Sequence, residues 1–177
     1  MQIRQPIVAV LGHVDSGKTS LLDRIRGTGV QGREAGGITQ HIGASFLPSD
    51  TIKEMCGPLY KNLEKSEHKV PGILVIDTPG HEVFTNLRSR GGSAADIAIL
   101  VVDVNRGFQP QTNESLKILQ SRKVPFLVAL NKCDQISGWR KSETKFISQA
   151  IKEQDASIQA DLDQKLYDVV GTLSILG

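Results

Sequence analysis

The sequence has 177 residues, of which 39% are hydrophobic and 23% charged, so it is typical of a globular domain with a packed core and not of a disordered chain. Its formal net charge of +2 gives no general electrostatic basis for binding nucleic acid. The longest apolar run, 97–102, is too short to cross a membrane, and because the first predicted strand begins so near the amino terminus we expect no signal peptide. The widely separated Cys56 and Cys133 predict free thiols, and we expect a soluble cytoplasmic protein without membrane partners.

In chain order, the first half alternates apolar runs with segments of helical spacing. The run at 7–11 predicts a strand, and the helix after it is expected to end at Gly27. A polar segment then predicts a mobile loop up to residue 37. The second half of 38–47 predicts an edge strand, and one broken helix or two short ones follow within 49–70.

The second half contains three continuous apolar runs of the kind that buried parallel strands show, at 73–76, 97–103 and 124–130. Helices are predicted between them, one through Leu87 and one over 110–121. The alternation indicates an α/β fold with a doubly wound, mostly parallel sheet and helices on both faces, in which ligands bind beyond the carboxyl ends of the strands. The remainder, 137–173, predicts two polar helices over 142–153 and 156–172, and we interpret it and 49–70 as helical insertions in one domain over 1–177.

The segment Gly12–Thr19 fits the phosphate-loop pattern G-x-x-x-x-G-K-[ST] and lies between a predicted strand and a predicted helix. The glycines allow the backbone to wrap around a polyphosphate, whose charge is held by N–H groups and the positive end of the helix. Lys18 is expected to reach the outer phosphates, and the Thr19 hydroxyl to bind Mg²⁺. A glycine-rich turn that binds nothing is the alternative. We assign phosphate binding to Val14, Asp15, Ser16, Gly17, Lys18 and Thr19.

Four residues elsewhere complete the predicted phosphate site. Asp77 follows an apolar strand and is expected to hold Mg²⁺ through a water, while the Gly80 N–H senses the terminal phosphate. His81 is the candidate for orienting the attacking water. Thr39, in the predicted mobile loop, would complete the magnesium shell when a third phosphate is bound. The alternatives are a helix-capping aspartate, a histidine without a role and an ordinary loop threonine.

The quartet 131–134, Asn-Lys-Cys-Asp, follows the last predicted strand and reads the base. The Asp134 carboxylate can accept two hydrogen bonds from N1–H and the exocyclic amine of guanine, an arrangement that adenine lacks. Lys132 is expected to lie along the base, and Asn131 to tie this loop to the phosphate loop. A plain turn is the alternative to this assignment, which predicts GTP and GDP as ligands.

These motifs, in this order, resemble the translational GTPases. The segment 77–81 is closer to that superfamily than to the Ras-like switches, which usually carry glutamine at the position of His81. The segment 33–44 is very similar to the first switch of the initiation factors that promote ribosomal subunit joining, called factor two in bacteria and factor five B in archaea and eukaryotes. The segments 84–92 and 138–140 resemble the same family. The long connection before residue 70 favours the archaeal or eukaryotic branch.

The resemblance implies the P-loop GTPase fold and a slow GTPase that the ribosome stimulates, with Mg²⁺ as cofactor. It also implies an apolar gate formed by Val14 and Ile38 near His81, and a monovalent cation near Asp15. Initiator tRNA and other initiation factors would be bound by later domains.

Two departures from the family accompany the resemblance. Ser16 replaces a common histidine or threonine, and we expect it to face solvent. The family's last base-contacting segment has no counterpart before Gly177, so we expect a fragment lacking the final strand and helix of the domain, with weakened nucleotide binding.

Other functions remain open on the sequence. A domain that holds a guanine nucleotide and serves as a docking module is the runner-up, together with another ribosome-associated GTPase. A small-molecule kinase would leave the quartet 131–134 and His81 unexplained.

Overall fold

Five strands form one sheet in the computed structural model, which describes residues 4–31, 44–62, 70–76, 95–144 and 146–176. The strands are β1 (Ile7–Gly12), β2 (Ala44–Pro48), β3 (Gly72–Ile76), β4 (Ile97–Asp103) and β5 (Phe126–Asn131). Their order across the sheet is β2-β3-β1-β4-β5. Edge strand β2 runs antiparallel to β3, and the other neighbours are parallel. The carboxyl ends of β1, β4 and β5 therefore meet at one edge of the sheet.

The described helices cover both faces of this sheet. They are α1 (Lys18–Gln31), α2 (Ser49–Cys56), α3 (Pro110–Ser121), α4 (Ile147–Lys152) and α5 (Ala156–Leu176). On one face, Val10 and Val101 pack with Leu22 of α1. On the other face, Leu100 packs with residues of α3 and with Val169 of α5. This arrangement confirms the doubly wound fold, because successive side chains of a buried strand point to opposite faces and both need a cover.

Of the two helix boundaries predicted in the amino-terminal half, one differs in the structure and the other is confirmed. Helix α1 continues through Gly27 to Gln31, because a glycine inside a helix costs only about 1 kcal/mol and does not break the hydrogen-bond ladder. The predicted interruption at Gly57-Pro58 is present, since α2 ends at Cys56 and a 3₁₀ helix follows over Gly57–Asn62.

The helix predicted over 142–153 begins later, at Ile147. Side-chain oxygens provide the reason: the Ser142 hydroxyl accepts a hydrogen bond from the Thr144 N–H at 3.2 Å, and the Thr144 hydroxyl accepts one from the Phe146 N–H at 3.3 Å. Such local bonds compete with the helical ladder and favour turns. The last helix begins at Ala156 as predicted and extends beyond residue 172 to Leu176.

The mobile-loop prediction up to residue 37 and the helix predicted through Leu87 lie in large part outside the described residues. Among the helices that the structure does describe, none combines the length and the apolar character needed to span a lipid bilayer.

Candidate functional site

The phosphate loop joins β1 to α1 and is curled by two unusual backbone conformations. Gly17 has a φ of 94°, and Asp15 has a φ of 62°, which aspartate tolerates better than most residues. The Lys18 ammonium donates hydrogen bonds to the Gly12 carbonyl at 3.0 Å and the His13 carbonyl at 2.6 Å. These two bonds hold the loop around the Lys18 side chain, so that the positive charge of the ammonium lies within the loop.

Helix α3 supports the same loop from the opposite side. The Val14 N–H donates to Oε1 of Gln111 at 2.9 Å, and the Val14 side chain is 57% exposed. Sequence reasoning did not find this role of Gln111, because a glutamine in the first turn of a helix carries no distinctive signal.

Ser16 is buried, with only 2% of its surface exposed, so the expectation that it faces solvent is wrong. Its hydroxyl has no hydrogen-bond partner among the described residues, and neither does Nδ1 of His13. Ser16 is buried because the loop turns inward and brings its hydroxyl against Gly12. The space between them is so small that a side-chain carbon added at Gly12 would lie 2.9 Å from Oγ of Ser16.

The predicted base-reading loop begins at the carboxyl end of β5. Asn131 is the last residue of that strand, and Lys132 has a left-handed backbone with φ of 64°. A short 3₁₀ turn, Cys133–Gln135, follows and carries Asp134 with its carboxylate at the surface. The left-handed residue turns the chain at the end of β5, and the Asp134 side chain after it is exposed.

The two loops are joined directly. Nδ2 of Asn131 donates to the Ser16 carbonyl at 2.9 Å, the tie that the sequence analysis expected. The approach is so close that a side-chain carbon at Gly17 would lie 2.1 Å from the same nitrogen. Glycine at this position is therefore required by the contact between the loops as well as by its φ.

A buried ion pair lies beside this junction. Nζ of Lys132 is 2.9 Å from a carboxylate oxygen of Asp103, the last residue of β4. Burial alone would raise the pKa of Asp103, but the Lys132 ammonium and the Asn105 N–H together hold it below its usual value. Sequence reasoning missed Asp103, although an aspartate that ends an apolar strand at the ligand-binding edge was a usable signal.

A cleft of about 550 Å³ opens next to the base-reading loop, a size that is ordinary for a small-molecule site. The thiol of Cys133 lies at its wall, where burial and the neighbouring Asp134 raise the thiol pKa. The segment after the quartet supplies the opposite wall, which the sequence analysis had not assigned to the site. The cleft is lined by Leu130, Asn131, Lys132, Cys133, Asp134, Trp139, Lys141, Ser142, Ile147 and Ala150.

Five predicted site residues lie outside the described part of the chain: Ile38, Thr39, Asp77, Gly80 and His81. Strand β3 ends at Ile76, one residue before Asp77. Of the predicted magnesium ligands only Thr19 is described, in the first turn of α1 and exposed. Their roles therefore stay predictions from sequence.

A strand, a loop with the phosphate-loop pattern and a helix, with a second loop at the end of β5 on the same edge of the sheet, define a P-loop nucleotide-binding domain. The chain belongs to the family described as the elongation factor Tu GTP binding domain, whose model matches residues 3–173.

Archaeal initiation factors are among the most similar relatives. The chain is 60% identical over 176 residues to the probable translation initiation factor IF-2 of Thermococcus sibiricus and 58% identical to that of Thermococcus onnurineus. Each match covers 99% of this chain and 29% of the relative. The crystal structure of GDP-bound aIF5B from Aeropyrum pernix is 54% identical, with a TM-score of 0.82, over 97% of this chain and 28% of that one. The family resemblance is thus confirmed, and these relatives come from archaea, one of the two branches that the sequence favoured. The chain spans less than a third of their length.

Proposed function

We propose that this chain is the guanine-nucleotide-binding, GTP-hydrolysing domain of a translation initiation factor that promotes ribosomal subunit joining. The observation that supports it most directly is the 2.9 Å hydrogen bond from Asn131 to the Ser16 carbonyl, which joins the phosphate loop to the base-reading loop. Only a ligand with a polyphosphate and a base at opposite ends uses both loops at once. The similarity to a GDP-bound aIF5B supports the same ligand class.

Guanine is selected in this proposal by Asp134, with Lys132 along the base. The Asp134 carboxylate is exposed at the wall of the 550 Å³ cleft and accepts from N1–H and the exocyclic amine of guanine. Adenine has no hydrogen on N1 and leaves the carboxylate without partners, which costs affinity.

Mg²⁺ is the cofactor we propose, because hard oxygen ligands and phosphate oxygens are what this ion prefers. The exposed Thr19 hydroxyl directly after Lys18 fits that chemistry. Thr39 would add a second hydroxyl and Asp77 a carboxylate acting through water. The ion would neutralise the charge that develops on the phosphates. A monovalent cation near Asp15 would also neutralise charge on the phosphates.

His81 orients the attacking water in the proposed reaction, and the Gly80 N–H detects the terminal phosphate. Little base strength is needed from the protein, because phosphoryl transfer depends mainly on positioning and on stabilising charge. Val14 and Ile38 would form an apolar gate that controls when His81 reaches the water. The ribosome, as the partner that opens this gate, would raise the slow intrinsic rate.

Calorimetry with GDP, GTP, ADP and ATP tests the ligand assignment on the 177-residue chain. We expect binding of both guanine nucleotides and negligible binding of the adenine nucleotides; equal affinity for ATP and GTP would refute the proposal. Asp134→Asn should transfer preference from GTP towards xanthosine triphosphate, whose 2-position carries an oxygen that accepts from the asparagine amide. Unchanged selectivity in this variant would remove Asp134 from the base-reading role.

Hydrolysis with and without ribosomes tests the reaction. For His81→Ala we expect almost unchanged nucleotide affinity and a stimulated rate lower by about 10²–10³-fold, the range found when one transition-state contact is removed. His68→Ala is the matched control for losing a histidine, and it should hydrolyse normally. A chain that binds GTP but shows no single-turnover hydrolysis on ribosomes would instead be a docking module.

A further inference from the structure

Asp103 is placed at the carboxyl end of β4, where it pairs in register with Asn131 of β5. One carboxylate oxygen lies 2.9 Å from the Lys132 ammonium, and the other accepts the Asn105 N–H at 2.9 Å. Only 7% of the residue surface is exposed. A carboxylate so far removed from water needs both partners, and the ammonium supplies the charge.

Lys132 is restrained at both ends. Its backbone is left-handed, and the preceding residue, Asn131, is fixed because its carbonyl accepts a hydrogen bond from the Val104 N–H at 3.0 Å. Its carbonyl also accepts a long hydrogen bond of 3.4 Å from the Asn105 side chain. With the backbone fixed and the ammonium held by Asp103, the four-carbon stem between them loses most of its rotational freedom before any ligand arrives.

We propose that Asp103 is a positioning residue for base binding: by holding the Lys132 ammonium, it keeps the lysine stem preset as the surface on which the guanine ring lies. The ligand then does not have to order a long, flexible side chain when it binds, which is the general advantage of preorganisation. This inference rests on the proposed function, because it requires a guanine nucleotide in the cleft.

The position of the Asp103–Lys132 pair predicts how a change in it affects the affinities for GDP and GTP. Asp103 acts at the base end of the site, so GDP and GTP should lose affinity equally when it is changed. A residue that sensed the third phosphate would instead alter the ratio of the two affinities. The ratio therefore separates the proposed role from a role in switching.

The experiment measures the Kd of GDP and of GTP for Asp103→Asn in the full chain. The asparagine oxygen still accepts the Asn105 N–H, so the turn after β4 is retained while the charge is lost. We expect both Kd values to rise roughly tenfold, the effect of losing one charge-assisted hydrogen bond, with an unchanged GDP-to-GTP ratio. Wild-type affinity in this variant would overturn the proposal.

Lys132→Met tests the mechanism from the other side, because methionine keeps an apolar stem of similar length and lacks the ammonium. We expect a rise similar to that of Asp103→Asn, and adding Asp103→Asn to Lys132→Met should cause no further loss. Equal losses from Asp103→Asn in both backgrounds would mean that Asp103 does not act through Lys132. If Asp103→Asn does not fold, wild-type affinity of Lys132→Met alone overturns the proposal.

Asp96→Asn is the matched control. Asp96 lies just before the start of β4, pairs with Arg4, and accepts the Ile7 N–H at 2.8 Å. It therefore repeats the pairing of Asp103 with a cation and a backbone N–H, but at an exposed position at the opposite edge of the sheet. The control should keep wild-type nucleotide affinity. If the wild-type chain itself fails to prefer guanine nucleotides, the proposed function fails; if it prefers them and the variants at Asp103 and Lys132 bind normally, only this inference fails.

Discussion

Gly17→Ala probes the contact between the phosphate loop and the base-reading loop. The new methyl group would lie 2.1 Å from Nδ2 of Asn131, so the amide must move and its bond to the Ser16 carbonyl must break. The φ of 94° adds strain for any residue with a side chain. A left-handed conformation costs about 1–2 kcal/mol and the lost hydrogen bond about 0.5–1.5 kcal/mol, for a total of about 1.5–3.5 kcal/mol.

Thermal unfolding of the nucleotide-free chain measures this cost, and we expect Tm to fall by roughly 3–14 °C. Alanine substitutions at two other glycines separate the effect of the collision from the effect of backbone conformation. Gly57 has a φ of 50° and open space around it, so Gly57→Ala carries the conformational strain without a collision. Gly27 lies within α1 with nothing in reach, so Gly27→Ala should stabilise the chain by about 0.5–1 kcal/mol.

The reasoning fails if Gly17→Ala is no less stable than Gly57→Ala, because the contact with Asn131 would then cost nothing. Asn131→Ala supplies a cross-check, since it removes the obstructing amide. In that background Gly17→Ala should lose the collision and retain only the strain of its φ.

Three further predictions concern single groups. Burial and the acidic neighbour raise the pKa of the Cys133 thiol. In a Cys56→Ser chain, Cys133 should therefore react with iodoacetamide at neutral pH more slowly than a free thiol in solution does. An equal rate would contradict its burial. The pKa of Asp103 is lower in the folded chain than its ordinary value of 3.8, so the ionised carboxylate stabilises the fold above pH 3.8, and this contribution is lost as the pH falls through the lower folded value. The free energy of unfolding of Asp103→Asn should therefore fall less steeply with acid than that of the wild type. Superimposable curves would disprove the linkage. Gln154 is 5% exposed and bonds both the N–H and the carbonyl of Arg140, so Gln154→Ala should cost about 2–3 kcal/mol in denaturant unfolding, and a loss below 0.5 kcal/mol would show that water replaces those bonds.

Strands and phosphate loop were predictable because their signals are local. A continuous apolar run such as 97–103 has no stable place except a covered sheet, and the structure has β4 with the same bounds. The pattern of Gly12–Thr19 fixed the order of strand, loop and helix, which the structure confirms. Helix α3 was also placed correctly, since Pro110 is favoured in the first turn.

The remaining features depend on contacts that the hydrophobic pattern of the sequence does not register. Ser16 is buried because the loop turns inward and brings its hydroxyl close to Gly12, which the spacing of the motif does not indicate. The late start of α4 arises from hydroxyl groups that bond the backbone, which a hydrophobic period does not register. The pairing of Asp103 with Lys132 requires the register of β4 and β5 to be known.

The Asn131–Ser16 bond also has a consequence for the order in which the protein is made. The two residues are 115 positions apart, and the chain is synthesised from its amino terminus at about 5–20 residues per second. Ser16 is therefore added to the growing chain roughly 6–23 s before Asn131. During that interval a nascent chain would have the predicted phosphate loop without the predicted base-reading loop, so the proposed guanine selectivity would be acquired only when β5 joins the sheet.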